Sequence, residues 1–201
     1  MIQGVLFDYG GVVADGGRGI EIARKLRELL NLPENSIQDI LMPLLGKLTR
    51  GNIEEKGFWQ ELEDSADLTI TDMQRHAWND WWGVKLYPEI FQLINDLHDA
   101  GYPVGLLSNI VPPAKAKIAA GGGYASFDFT VLSCDVGHAK PDPEIYDIAV
   151  SKFDGLTPDE IVFIDDQEKC LPPAEALGIH TILATSSDQI IKDLRALDLP
   201  V

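Results

Sequence analysis

The chain has 201 residues, of which 45% are hydrophobic and 24% charged. That is enough for one domain, or one domain with a modest insertion, to bury a sizeable core. A formal charge of −16 leaves no basic stripe to displace phosphate counterions, which argues against nucleic acid as a partner. No apolar run approaches the roughly 18 residues of a membrane span, and no signal-like segment precedes the first apolar run. The two cysteines, Cys134 and Cys170, read as reduced thiols, so the expected setting is cytoplasmic, away from membranes.

Residues 2–8 form the first strand candidate, and the text GVLFDYGGVVAD carries its end, Asp8, onto a glycine-rich bend. From about 15 to 86 there is no convincing strand, only helical stretches near 19–31, 34–48, 52–64 and 70–82. Trp78, Trp81 and Trp82 share one helical face there, and packing within this block is the expectation rather than pocket lining. Next comes the helix PEIFQLINDLHDAG, with Ile90, Leu93, Ile94 and Leu97 on one side and Gly101 closing it. Short apolar or β-branched runs follow at 103–108, 127–133, 160–165 and 179–184, separated by helical text. Steady alternation predicts an α/β fold, a Rossmann-like parallel sheet with helices on both faces. The expected division is a core of 1–14 and 87–201 with an inserted all-helical unit, 15–86, over the end of the first strand.

In such sheets ligands bind at the carboxyl ends of the strands, where the strand order reverses. The strand ends here are Asp8, then Ser108 and Asn109, then Asp165 and Asp166. Ahead of the fourth strand stands HAKPDPEIY, with Lys140 before a helix that Asp142 can cap and Pro143 can start. Each feature alone is ordinary turn or cap chemistry; four at successive strand ends are not. Three gathered carboxylates repel by about 4 kcal/mol per close pair at an effective dielectric of 20, which a proton or a cation must relieve. An oxygen-only site left partly open suits Mg²⁺. Lys140, Ser108 and Asn109 suit the remaining oxygens of a phosphate bound beside it.

With FDYGGVV, LLSN, KPDPEIY, and FIDD followed by ALGI in that order, the sequence resembles the haloacid dehalogenase-like hydrolase superfamily over its whole length. The resemblance implies a Rossmann-like core under a helical cap, an aspartate nucleophile and, in most members, Mg²⁺-dependent phosphoryl transfer from a small phosphorylated substrate. Carried over, Asp8 is nucleophile and metal ligand, the Gly10 carbonyl a second ligand and Asp166 a third, with Asp165 acting through water or behind them. Ser108, Asn109 and Gly11 would contact substrate, and Lys140 would balance charge between nucleophile and phosphate.

The family's usual pattern is Asp-x-Asp, whereas this chain reads Asp8-Tyr9-Gly10. Gly10 keeps a backbone carbonyl but lacks the side chain that protonates the leaving oxygen, a contribution of about 10²–10⁴-fold. Four explanations stand. The substrate leaves readily, as acyl or anomeric sugar phosphates do; Asp15 or His76 substitutes; the enzyme is a metal-free dehalogenase; or the chain binds without turnover. Asp165-Asp166 favours a metal-dependent phosphatase, and FDYGGVV with LSCDVGHAKPDPEIY is similar to a subgroup that includes a bacterial glucose-1-phosphate phosphatase. Cys170 reads as a buried, inert thiol, with Pro172 and Pro173 starting the helix after it. His98 and His180 read as structural, His138 as a neighbour of Lys140, and Gly16, Gly17 and Gly83 as hinges for cap closure or, equally well, as plain linker glycines.

Overall fold

The apolar runs become five parallel strands in the computed structural model, which describes residues 1–16, 18–82 and 85–201. They are β1 (Gly4–Phe7), β2 (Val104–Ser108), β3 (Phe129–Leu132), β4 (Ile161–Asp165) and β5 (His180–Leu183). Their spatial order is β3-β2-β1-β4-β5, with Phe7 in register with both Leu106 and Ile164. From β1 the sheet grows through β2 and β3 on one side and then through β4 and β5 on the other. The order therefore reverses at β1, and Asp8 stands at that point.

Burial on both faces explains why these strands read as continuous apolar runs rather than alternating ones. The pleat sends Val5, Phe7, Val104, Leu106, Val162 and Ile164 into one apolar cluster, and Leu6, Leu107 and Phe163 into the other.

The segment after β1 is helical. It contains α1 (Gly19–Leu29), a π-helical turn (Ile37–Leu41) running into α2 (Met42–Thr49), α3 (Glu55–Ala66) and α4 (Asp72–Asp80), and is followed by α5 (Pro88–Asp99). The single helix expected over 34–48 is thus interrupted. Pro43 has no N–H to give, and the Met42 N–H reaches five residues back to Ile37. The start of α4 is set by a reciprocal cap: Thr71 Oγ1 accepts from the Gln74 N–H at 3.3 Å, and the Gln74 side chain accepts from the Thr71 N–H at 2.9 Å. The remaining helices are α6 (Pro112–Ala120), α7 (Ser133–Val136), α8 (Pro143–Val150), α9 (Leu171–Ala176) and α10 (Ser187–Ala196). In α5 the predicted stripe Ile90, Leu93, Ile94 and Leu97 is buried against the sheet.

Inside the helical insert Phe58 stacks on Trp78 at 5.5 Å, and Trp82 meets Trp78 edge-on at 4.8 Å. These rings belong to the same apolar cluster as Val5 and Phe7, so the insert and that face of the sheet share one core. One of its polar attachments is Arg50, just past α2. The guanidinium grips Asp142 with Nε to Oδ2 at 2.9 Å and Nη2 to Oδ1 at 3.0 Å. The neighbouring Gly51 has φ +66°, and a Cβ there would lie 2.3 Å from the Cys134 carbonyl oxygen. Among the described residues no helix is long and apolar enough to cross a membrane.

Candidate active site

Parallel strands that end in register deliver their last residues to one edge, and here that edge is charged. The Lys140 ammonium lies 2.7 Å from Asp8 Oδ1 and 2.6 Å from Asp165 Oδ2, and all three residues are buried. Burial pushes the Asp8 carboxyl up, to about 7, against the pull of Lys140. For Lys140 burial acts downward, but the two carboxylates more than offset it and the net shift is upward. Lys140 therefore stays a cation.

Lys140 is held in place by Asn109. The Asn109 amide donates to the Lys140 carbonyl at 2.7 Å, and its oxygen accepts from the Lys140 N–H at 2.8 Å. Asn109 stands on the wall of the cavity over the strand ends, and its carboxamide also clamps the lysine's peptide, a two-point match that a strand-end Asn makes across to a neighbouring loop. Asp165 is locked as well, its Oδ1 accepting from the Gln167 N–H at 2.7 Å.

Asp166 completes the cluster. It offers a carboxylate oxygen, as do Asp8 and Asp165, and the three lie within 4.8 Å of one another. Its Oδ2 meets Arg18 at 3.2 Å, but its Oδ1 is buried with no hydrogen-bond partner among the described residues. A buried unpaired carboxylate oxygen costs free energy unless something binds it. Oxygen-only donors with one such orphan fit a hard divalent cation, with Asp8, Asp166 and the Gly10 carbonyl as its candidate ligands and Asp165 behind them.

Gly11 has a different role from the one expected. Its N–H is taken by the Ala14 carbonyl at 2.7 Å, and it does not belong to the cavity wall. With φ at +84°, a Cβ on Gly11 would sit 2.7 Å from Asp166 Cγ. Glycine there lets the Asp166 carboxylate close in. Gly10 is under no such constraint: a Cβ would meet only Gly16 Cα, at 3.6 Å. Asp142 also departs from expectation. It does not cap α8, whose first residue Pro143 lacks a donor; its carboxylate goes to Arg50 and to the Ala139 N–H at 3.2 Å.

The sequence pattern of the haloacid dehalogenase-like hydrolases matches residues 2–178. The chain belongs to this hydrolase family. It is 24% identical over 190 residues to a D-ribitol-5-phosphate phosphatase of Bacteroides thetaiotaomicron, covering 90% of this chain and 91% of that protein. A family enzyme from Bacteroides thetaiotaomicron, solved in complex with magnesium and inorganic phosphate, superposes with a TM-score of 0.72 at 28% identity, over 92% of this chain and 95% of that one. Mouse acyl-CoA dehydrogenase family member 10 is 32% identical over 113 residues, 56% of this chain, but the match spans only 10% of that larger protein.

In this hydrolase a cavity of about 360 Å³ opens over the charged edge. Asp8, Lys140, Ser108 and Asn109 line it. The insert contributes Ile22, Thr49, Trp81 and Trp82, while Val111, Ala114 and Ile118 close the core side. The three tryptophans therefore divide: Trp78 is fully buried in the insert, and the other two face the site. Asp15 is on the wall; His76 is exposed and is not. Arg18, Lys25 and Lys169 also line the cavity, and none was singled out from sequence. The spacing 18, 22, 25 was the available signal, since it puts Arg18, Ile22 and Lys25 on one side of α1.

A wider hollow of about 590 Å³ between Gln60 and Thr69 holds Glu63, Asp64 and Asp67 and no cation. Cys170 is buried, its thiol pushed up to about 12 by burial, as expected of an inert residue. His98 pairs with Asp128 at 3.2 Å, His138 lies 3.9 Å from Glu144, and His180 is exposed at the start of β5. Of the expected hinges, Gly16 lines the cavity, while Gly17 and Gly83 lie outside the described residues.

Proposed function

We propose that this hydrolase is a Mg²⁺-dependent phosphatase of a small phosphorylated metabolite, acting through an aspartyl phosphate on Asp8, with residues 15–86 as the cap over the site. The observation that carries the reading is the charge arrangement at the strand ends. One buried lysine is shared by Asp8 and Asp165, beside an Asp166 oxygen that has no partner. The phosphatase relative and the magnesium–phosphate complex of a structural neighbour support it.

In the first step an Asp8 carboxylate oxygen attacks phosphorus, and the bond from phosphorus to the leaving oxygen breaks. Water then attacks the same phosphorus, releasing inorganic phosphate and restoring the Asp8 carboxylate. Lys140 holds Asp8 in place and offsets negative charge on the phosphoryl oxygens. Ser108 donates its hydroxyl to one of those oxygens. A Mg²⁺ held by Asp8, Asp166 and the Gly10 carbonyl would neutralise charge that Lys140 alone leaves uncompensated. Gly10 supplies no acid, so the leaving oxygen departs unprotonated or takes a proton from Asp15, the carboxylate on the cavity wall besides Asp8. The likeness of the first and third motifs to a glucose-1-phosphate phosphatase subgroup supports a leaving group that needs little help. Metal-free displacement at carbon would leave the orphaned Asp166 oxygen without a purpose.

A panel of phosphate esters assayed with Mg²⁺ and with EDTA, alongside 2-haloacids, tests this directly. Ester hydrolysis should require Mg²⁺, and Asp8→Asn should lower kcat/KM by about 10⁴-fold or more while leaving thermal unfolding cooperative. Halide release from a 2-haloacid that persists in EDTA, without ester hydrolysis, would overturn the assignment.

A further inference from the structure

The cavity is charged opposite to the molecule around it. The chain has 32 acidic and 16 basic residues, yet the described cavity wall carries the cations Arg18, Lys25, Lys140 and Lys169 against the carboxylates Asp8 and Asp15. Lys140 is taken by Asp8 and Asp165. The other three cations sit on two separate supports, and of these Arg18 reaches Asp166 of the reacting centre. Arg18 and Lys25 lie with Ile22 on one side of α1, whose other side buries Ala23 and Leu26. Lys169 sits on the 3₁₀ turn that follows β4. No ion pair joins Lys25 or Lys169 to a carboxylate among the described residues. Arg18 touches Asp166 through Nη2 alone and is more than half exposed, leaving most of its five donors available.

A solubilising surface would not select this pattern, because over the whole chain acids outnumber bases two to one. Cations from both sides of a cleft with apolar walls concentrate positive potential inside it. A neutral sugar or polyol would gain nothing from them.

We propose that the substrate carries a second anionic group, a carboxylate or a second phosphate, bound by Arg18, Lys25 and Lys169 on the cavity wall. This rests on the phosphatase reading for the phosphate end and narrows it to small phosphate esters with a further anionic group, the specificity set by one side of α1 and the turn after β4. The volume of about 360 Å³ limits the substrate to a short metabolite.

The test compares phosphorylated hydroxy acids and sugar bisphosphates with partners of matched length that lack a second anionic group: a polyol phosphate, an anomeric sugar phosphate and propyl phosphate. Wild type should prefer the esters with two anionic groups, and the arm that is better, carboxylate or bisphosphate, identifies the second group. In Lys25→Met/Lys169→Met the ratio of kcat/KM between the two sets should fall by about tenfold or more, whereas Lys192→Met, on exposed α10, should keep the wild-type ratio. Calorimetry adds a readout without turnover. In the presence of Mg²⁺, 3-phosphonopropionate should bind at least about tenfold more tightly than methylphosphonate, and the double variant should lose that preference. If no ester is hydrolysed but the binding preference holds, the phosphatase reading fails and the anion site stands. If esters with the phosphate alone are turned over as well as those with a second anionic group, or Lys192→Met shifts the ratio equally, the anion site is overturned and the phosphatase reading is untouched.

Discussion

The strand ends and the helical insert solve opposite problems. At the strand ends, ionised groups are buried and almost every polar atom is answered by a neighbour within 3 Å: Lys140 by two carboxylates, its peptide by Asn109, and Asp165 by the Gln167 N–H. In the insert the buried material is aromatic and aliphatic, and the polar ties lie at the rim, as in Arg50–Asp142 and Arg75–Glu63. Loss of a partner in the first region leaves a buried charge uncompensated, whereas the apolar packing of the second can be reshaped without that penalty.

The sharpest break in that contrast is Lys140→Met, which leaves Asp8 and Asp165 buried together without their cation. Stability in EDTA should drop by about 3–5 kcal/mol, read from urea denaturation, and Asp165→Asn in the same chain should recover part of it. A Lys140→Met protein as stable as wild type would mean that the strand-end charges do not form one balanced unit.

A smaller and more selective change is Gly10→Asp. The site has room for a Cβ, whose nearest neighbour would be Gly16 Cα at 3.6 Å. Alkyl phosphates should speed up by a fraction of the roughly 10²–10⁴ that a general acid contributes, while p-nitrophenyl phosphate should barely change. An unaltered alkyl-to-aryl ratio, with Mg²⁺ binding intact, would assign the acid to Asp15, and Asp15→Asn would then slow alkyl esters.

The smallest effect belongs to the rim. Arg50→Ala removes a half-exposed pair and should cost only about 1 kcal/mol, but it unties the insert from the loop that carries Lys140. Amide exchange at Ala139 and Lys140 should accelerate, and KM should rise a few-fold. Exchange unchanged at those amides would show that the shared apolar cluster alone seats the insert.

Much of the strand-end region was legible in the linear text because its rules are local. An apolar run of four or five residues closed by Asp or Ser-Asn yields a strand and its end, and β1, β2 and β4 fall within the expected ranges. Misreadings arose where a side chain had a choice of partners. Asp142 had a helix end to cap and went to Arg50, 92 positions away in the chain. Gly11 was read as a contact and proved to be a clearance for Asp166. In the insert, a single helix was expected over 34–48, and the π turn ahead of Pro43 interrupts it.

By itself the sequence determined the parallel sheet, the helical insert and the residues that end each strand, because hydrophobic periodicity and chain direction are properties of neighbours in the chain. Only the tertiary structure decided which of those polar groups meet. It put Lys140 between two carboxylates, left one Asp166 oxygen unpartnered, and turned Arg18, Lys25, Trp81 and Trp82 toward a common cavity. The reason is physical: a buried charge or donor takes whichever partner lies within about 3 Å, and that distance is set by how the elements pack, not by their separation in the chain.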